Sequence, residues 1–215
     1  MQRLASFAGT VGPVLFLGVV LVEGAVRPDY RPLHDTISEL SAGPRGWVQS
    51  ANFVVFGILF LMFARGTKAS LRGARAARLG AALLTLIGIG VLGCGLFPAE
   101  SWPPSSMGPA GLLHLISAIV LIFALLPVAT AVLTRAFAAD PRWRALAPAT
   151  ALTSLLTLTL LAGGLALMSP PGRPPRIGNE YAGLIQRVDV AVFLAWQFAV
   201  ARRMARVGTS TRTPS

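Results

Sequence analysis

Six apolar runs separated by short polar connectors govern what this chain can fold into. A helix rises about 1.5 Å per residue and the hydrocarbon core of a bilayer is about 30 Å thick, so a span needs about 20 mostly apolar residues. Ala5 to Val26, Trp47 to Ala64, Leu79 to Ala99, Pro109 to Thr134 and Ala145 to Met168 meet that demand. Ala182 to Ala201 meets it less well, because Arg187 and Asp189 interrupt it. Backbone groups in lipid must be satisfied internally, so these runs are expected as helices. The expected fold is all-α, a polytopic transmembrane helix bundle with six spans. Residues 1–206 are read as one domain and 207–215 as a disordered cytoplasmic tail. Only 13% of the 215 residues are charged, against about 25% in soluble domains, too little for a fold that must cover itself in water. The first run reads as a retained span, because Glu23 makes a poor cleavage site after Ala25.

The net charge of +11 raises the question of nucleic acid, and its distribution answers it. A nucleic-acid binder gathers its basic residues on one face; here they lie in the gaps between apolar runs, so no nucleic-acid partner is expected. With the N-terminus placed in the cytoplasm, thirteen of the 19 basic residues fall inside. Arg27, Arg31, Arg45, Arg173, Arg176 and Arg187 fall outside. The positive-inside rule then favours a bacterial cell membrane protein with both termini cytoplasmic. Of the eight acidic residues only Asp140 lies inside. The cytoplasmic loops read as simple basic connectors, and the chemical variety lies on the outer side. The single cysteine, Cys94, reads as a buried packing residue.

The first outer loop, RPDYRPLHDTISELSAGPRG from Arg27 to Gly46, is the richest segment. Thr36 and Glu39 have capping-box spacing, and Gly43-Pro44 is a stop signal. They predict a short amphipathic helix from about Thr36 to Ala42, folded over the outer mouth of the bundle. This segment, continued by NFVVFG at Asn52 to Gly57, resembles the signature of the bacterial and archaeal six-span family called domain of unknown function 998. Phe97-Pro98-Ala99, His114 and Gly183 to Arg187 match its later landmarks. The resemblance implies a six-helix membrane fold and leaves activity open.

Other patterns divide between packing and chemistry. Gly88, Gly90 and Gly93 match a dinucleotide fingerprint but sit inside an apolar helix, where small residues for close helix approach explain them better. No cofactor is expected. Thr150, Ser154 and Thr157 form a stripe that suits interhelical hydrogen bonding. Gln186, Asp189, Phe193 and Gln197 share one helix face, which should point inward. Ionisable groups inside a membrane are costly, so Asp189 needs a partner from another helix, and His114 is placed to be its neighbour. Zinc could draw on His34 and His114 alone for nitrogen, and no tight ligand spacing exists; no metal is expected. A serine nucleophile at Ser38 lacks the expected elbow motif.

The candidate catalytic residues are therefore His34, Asp35, His114 and Asp189, converging at an outer-leaflet pocket. Asp29, Tyr30, Ser38, Glu39 and Arg187 are candidates for substrate binding, with Arg187 suited to an anionic lipid headgroup. Membrane lipids are the expected partners. Three readings stay open: a membrane-embedded enzyme acting on a lipid or lipid-linked substrate at the outer leaflet, a small-molecule or ion transporter, and a non-catalytic scaffold for another membrane protein.

Overall fold

The computed structural model describes residues 2–71, 75–100, 108–168 and 177–210. Arg72, Arg173, Arg176 and Arg212 of the charge count, and positions 211–215 of the tail, lie outside the described residues. Among the described residues six helices are long and apolar enough to cross a membrane, and there is no strand. Span one is Gln2–Val26, span two Gly46–Ser70, span three Arg75–Leu96, span four Pro109–Ala139, span five Ala147–Leu167 and span six Ala182–Ser210.

Each span packs on the next in the chain, and span six returns to span one, closing a ring. Short connectors force sequential helices to be antiparallel neighbours. Both termini therefore share one end of the bundle, called here the terminal end. The first loop lies at the far end. Several helices outlast their apolar runs. Span two continues past Ala64 through Arg65 and Lys68, good helix formers whose charges can reach water beyond the lipid. Span six stays helical to Ser210, past the Arg206 boundary drawn for the domain. Span three stops at Leu96, before Pro98, which cannot continue a helix. Span four changes character after His114: Ile116–Ala124 is a wider π-helical stretch between α-helical ends, and Pro127 follows it.

Inside lipid no hydrophobic force draws helices together, so close packing and internal hydrogen bonds must do so. An aromatic ladder of Phe16, Phe53, Phe56, Phe60, Phe63, Phe193 and Trp196 joins spans one, two and six, with ring centroids 4.8 to 6.3 Å apart. The glycines of span three are contact points. A Cβ on Gly88 would stand 2.6 Å from Leu61, one on Gly90 2.7 Å from Leu121, and one on Gly93 would overlap the Ser117 hydroxyl. The Thr/Ser stripe of span five is used the same way. Thr150 accepts from the Trp196 indole N–H at 3.0 Å, and Ser154 donates to the Pro127 carbonyl at 2.7 Å.

The connector between spans four and five is not the simple basic link expected from its sequence. Arg142 donates to the Asp140 carboxylate at 2.6 Å and to the Ser70 carbonyl at 3.1 Å, while Arg203 donates to the Arg142 carbonyl at 2.7 Å. Trp143 is fully buried and stacks on Phe137 at 5.1 Å. Residues from spans two and six thus tie this loop down at the terminal end.

Candidate functional site

At the far end, the first loop is strapped onto the start of span six. The first backbone N–H groups of a helix lack partners within it. Here Gly183 N–H donates to the His34 carbonyl at 3.0 Å and Leu184 N–H to the Leu33 carbonyl at 2.9 Å. Gln186 reaches back to accept from Ile37 N–H at 2.6 Å. Arg187 completes the strap: Nη1 donates to the Asp35 carbonyl at 2.8 Å and to the Gly183 carbonyl at 3.0 Å, and Nη2 donates to the Tyr30 hydroxyl. Tyr30 in turn donates to the Thr36 carbonyl at 2.9 Å. Burial pushes the Tyr30 phenol up despite the opposing pull of Arg187, so it stays a donor at neutral pH.

A second arginine holds the other half of the loop. Arg27 donates to the carbonyls of Glu39, Leu40 and Ala42 at 3.1, 3.2 and 2.5 Å. Gly43 sits over it at φ +76°, where a Cβ would lie 2.8 Å from the Arg27 Nη2 atom. The expected two-turn helix is instead a single 3₁₀ segment, Ile37–Ser41. Its carbonyls are claimed by Arg27, and the extended cap at Ala42 with the left-handed Gly43 ends it early. The capping box is present, with its carboxylate half well made: Glu39 accepts from Thr36 N–H at 2.5 Å and from the Thr36 hydroxyl at 2.9 Å. Glu39→Ala should therefore destabilise the loop by about 1–2 kcal/mol and Thr36→Ala by about 1 kcal/mol. Hydrogen exchange at the amides of 36–40 measures both, and equal protection in both variants and the parent would discredit the cap.

His34 stands on the outside of this platform, its side chain 45% exposed. Its Nδ1 is 2.8 Å from Asp35 Oδ1. An ionised carboxylate only accepts, so the imidazole donates from Nδ1, which also lies 3.3 Å from the Arg31 Nη2 atom. Burial works to raise the Asp35 pKa, but the Arg31 N–H, the His34 ring and the Arg31 charge together outweigh it. Its carboxyl sits below the ordinary carboxylate range. Because that pKa is depressed in the fold, the contact stabilises the loop above the ordinary carboxylate value and is lost only as pH falls through the lower folded one.

Asp29 is exposed and Ser38 half-buried, its carbonyl accepting from Ser41 at 2.7 Å. His114 is buried in span four; its Nδ1 donates to the Phe97 carbonyl at 2.7 Å, and its ring lies edge-on to Phe53. Asp189, Phe193 and Gln197 are buried, so that face of span six does point inward. Asp189 and His114 are not bonded to each other as expected: Asp189 Oδ1 and His114 Nε2 are both buried without a hydrogen-bond partner. Loop one and the start of span six are thus brought together, while the hydrogen bond of His114 goes to Phe97 and its ring contact to Phe53. Among the described residues no group of three or more His, Cys, Asp or Glu side chains could hold a metal ion.

Two elements escaped sequence reasoning. Glu23, read only as a blemish in span one, is buried and accepts from Arg45 at 2.6 and 3.2 Å. Arg27 was counted for orientation and is instead the loop's clasp. Both arginines stand on the basic-poor side of the charge count, and that anomaly was the available signal.

Six apolar spans around a buried polar and aromatic interior define a multi-pass integral membrane protein. Residues 10–203 match the family described as protein of unknown function (DUF998), and the chain belongs to that family. No curated protein and no solved structure matches it.

Proposed function

We propose that this protein is a membrane-embedded enzyme acting on a lipid or lipid-linked substrate at the outer leaflet of a bacterial cell membrane, with both termini in the cytoplasm. The observation that carries the reading is the His34–Asp35 pair. An imidazole oriented through Nδ1 by an ionised carboxylate can offer its other nitrogen, Nε2, as a base at the mouth of the bundle. The loop that bears it is held by Arg27 and Arg187 rather than left to fluctuate. A general base on such a platform suits proton removal from a hydroxyl or water attacking a headgroup ester. Arg187 spends its fork on the Asp35 and Gly183 carbonyls and the Tyr30 hydroxyl, so in this reading it positions the loop and does not grip the headgroup.

Orientation is tested with Leu33→Cys, whose parent side chain is 57% exposed, in a Cys94→Ala background. A membrane-impermeant maleimide is expected to label it in intact cells; labelling only after lysis would reverse the topology. The activity is tested by comparing lipid extracts of a deletion strain and its parent. One lipid or lipid-linked species should accumulate on deletion and clear on complementation. Identical extracts would end the enzyme reading.

A further inference from the structure

With Arg187 committed to the loop, the cation beside the His34–Asp35 pair is Arg31, which opens the turn that carries them. The turn is tied by its own backbone. The Arg31 carbonyl accepts from His34 N–H at 2.9 Å and from Asp35 N–H at 2.7 Å, and Arg31 N–H donates to Asp35 Oδ2 at 2.6 Å. The Leu33 and His34 carbonyls are bonded in turn to span six. The Arg31 side chain folds back along this turn, its Nη2 3.3 Å from His34 Nδ1 and 3.8 Å from Asp35 Oδ1.

The two charges are not equally placed. The Arg31 side chain is 70% exposed and that of Asp35 only 16%. The carboxylate is spent inward on the Arg31 N–H and the His34 ring, while the guanidinium faces outward. A contact of 3.8 Å is beyond hydrogen-bond reach, and exposed ion pairs contribute little, so a ligand displaces little in taking this cation. Among the described residues the contacts of the guanidinium are made from Nη2, and Nε and Nη1 keep their N–H groups for a ligand. Beside it lies an apolar edge: Leu33 and Leu184 are both exposed, and Leu184 N–H donates to the Leu33 carbonyl at 2.9 Å. An arginine with hydrocarbon on one side and water on the other, at the end of a membrane bundle, stands at the level of lipid phosphates. Its planar donors match phosphate oxygens.

We propose that Arg31 seats the phosphate of an anionic lipid headgroup beside His34, with acyl chain passing Leu33 and Leu184, and so selects phosphate-bearing lipids as the substrate class. Calling the bound lipid a substrate rests on the enzyme reading above; the seat itself is tested without turnover.

The chain has two histidines, so their ring signals in an NMR spectrum can be told apart. The full chain in a non-ionic detergent is titrated with short-chain phosphatidylglycerol, with diacylglycerol of the same chains, and with inorganic phosphate. Phosphatidylglycerol is expected to shift the His34 signal saturably, diacylglycerol to leave it in place, and inorganic phosphate to act only at much higher concentration. Arg31→Gln keeps the backbone bonds of the turn and should weaken phosphatidylglycerol binding roughly fivefold. Arg31→Lys, which keeps the charge and loses the fork, should fall between. His114, buried in span four, is the internal control. Parent-like affinity in Arg31→Gln, an equal response to diacylglycerol, or a His114 signal that moves together with that of His34 would each overturn the seat. An equal response to inorganic phosphate would overturn the lipid as its ligand. Saturable, Arg31-dependent binding together with identical lipid extracts from deletion strain and parent would end the enzyme reading and leave the seat standing.

Discussion

A Gly183→Ala protein is expected to release the first loop from span six. Gly183 sits directly beneath the loop: a Cβ there would lie 2.6 Å from the Pro32 carbonyl oxygen and would overlap that of Asp35. Both are backbone atoms, held on one side by Arg187 and on the other by the turn of the loop. Neither can swing aside as a side-chain tip could. The loop must lift, and the bonds from Gly183 and Leu184 to the loop carbonyls are lost with it. Steric strain of this kind costs about 1–3 kcal/mol, and each exposed donor adds to it, so about 3 kcal/mol is expected for the strap as a whole. The bundle itself should persist, because its aromatic ladder and its terminal-end ties lie elsewhere. Hydrogen exchange of residues 31–41 reads the effect. If those amides stay as protected as in the parent, the strap does not hold the loop.

The largest functional effect is expected at His34. Removing a general base costs typically 10²–10⁴-fold in rate, so His34→Ala should leave the deletion strain's lipid accumulation uncorrected although the protein is inserted normally. Asp35→Asn should fall between that variant and the parent, since an amide can still touch Nδ1 but no longer fixes the tautomer by charge. The comparison with Gly183→Ala separates chemistry from scaffolding. His34→Ala removes the nitrogen and leaves the loop docked, because the His34 carbonyl, not its ring, receives Gly183 N–H. Full correction by His34→Ala would refute the proposed base. Failure of Gly183→Ala alone would show that loop position matters without identifying the base.

The buried polar groups show how position in the bundle changes what a residue means. Asp189 and Gln197 were readable as inward-facing from their spacing, and they are buried. Their partners were not readable. A helix face says which way a side chain points, while the atoms it meets belong to segments far away in sequence. Asp189 Oδ1 and both Gln197 amide atoms meet no hydrogen-bond partner. Arg187 shows the opposite case. By type it suits a phosphate, but the loop around Asp35, 152 residues earlier, arrives first and takes its donors.

The sequence by itself determined the class of fold, because each bilayer crossing demands its own run of about 20 apolar residues, a local property that survives without knowing any contact. It also determined the capping box, whose two residues are three apart and need no distant partner. It did not determine the π-helical stretch of span four, since Ile116 to Ala124 is apolar but for Ser117 and carries no period that favours one helical pitch over another. Only the tertiary structure decided that Arg27 shortens the loop helix, that Glu23 has a cation, and that the first loop docks on Gly183. Those contacts join groups 12 or more residues apart, and the free energy that fixes them comes from closing the ring of helices, which no single segment contains.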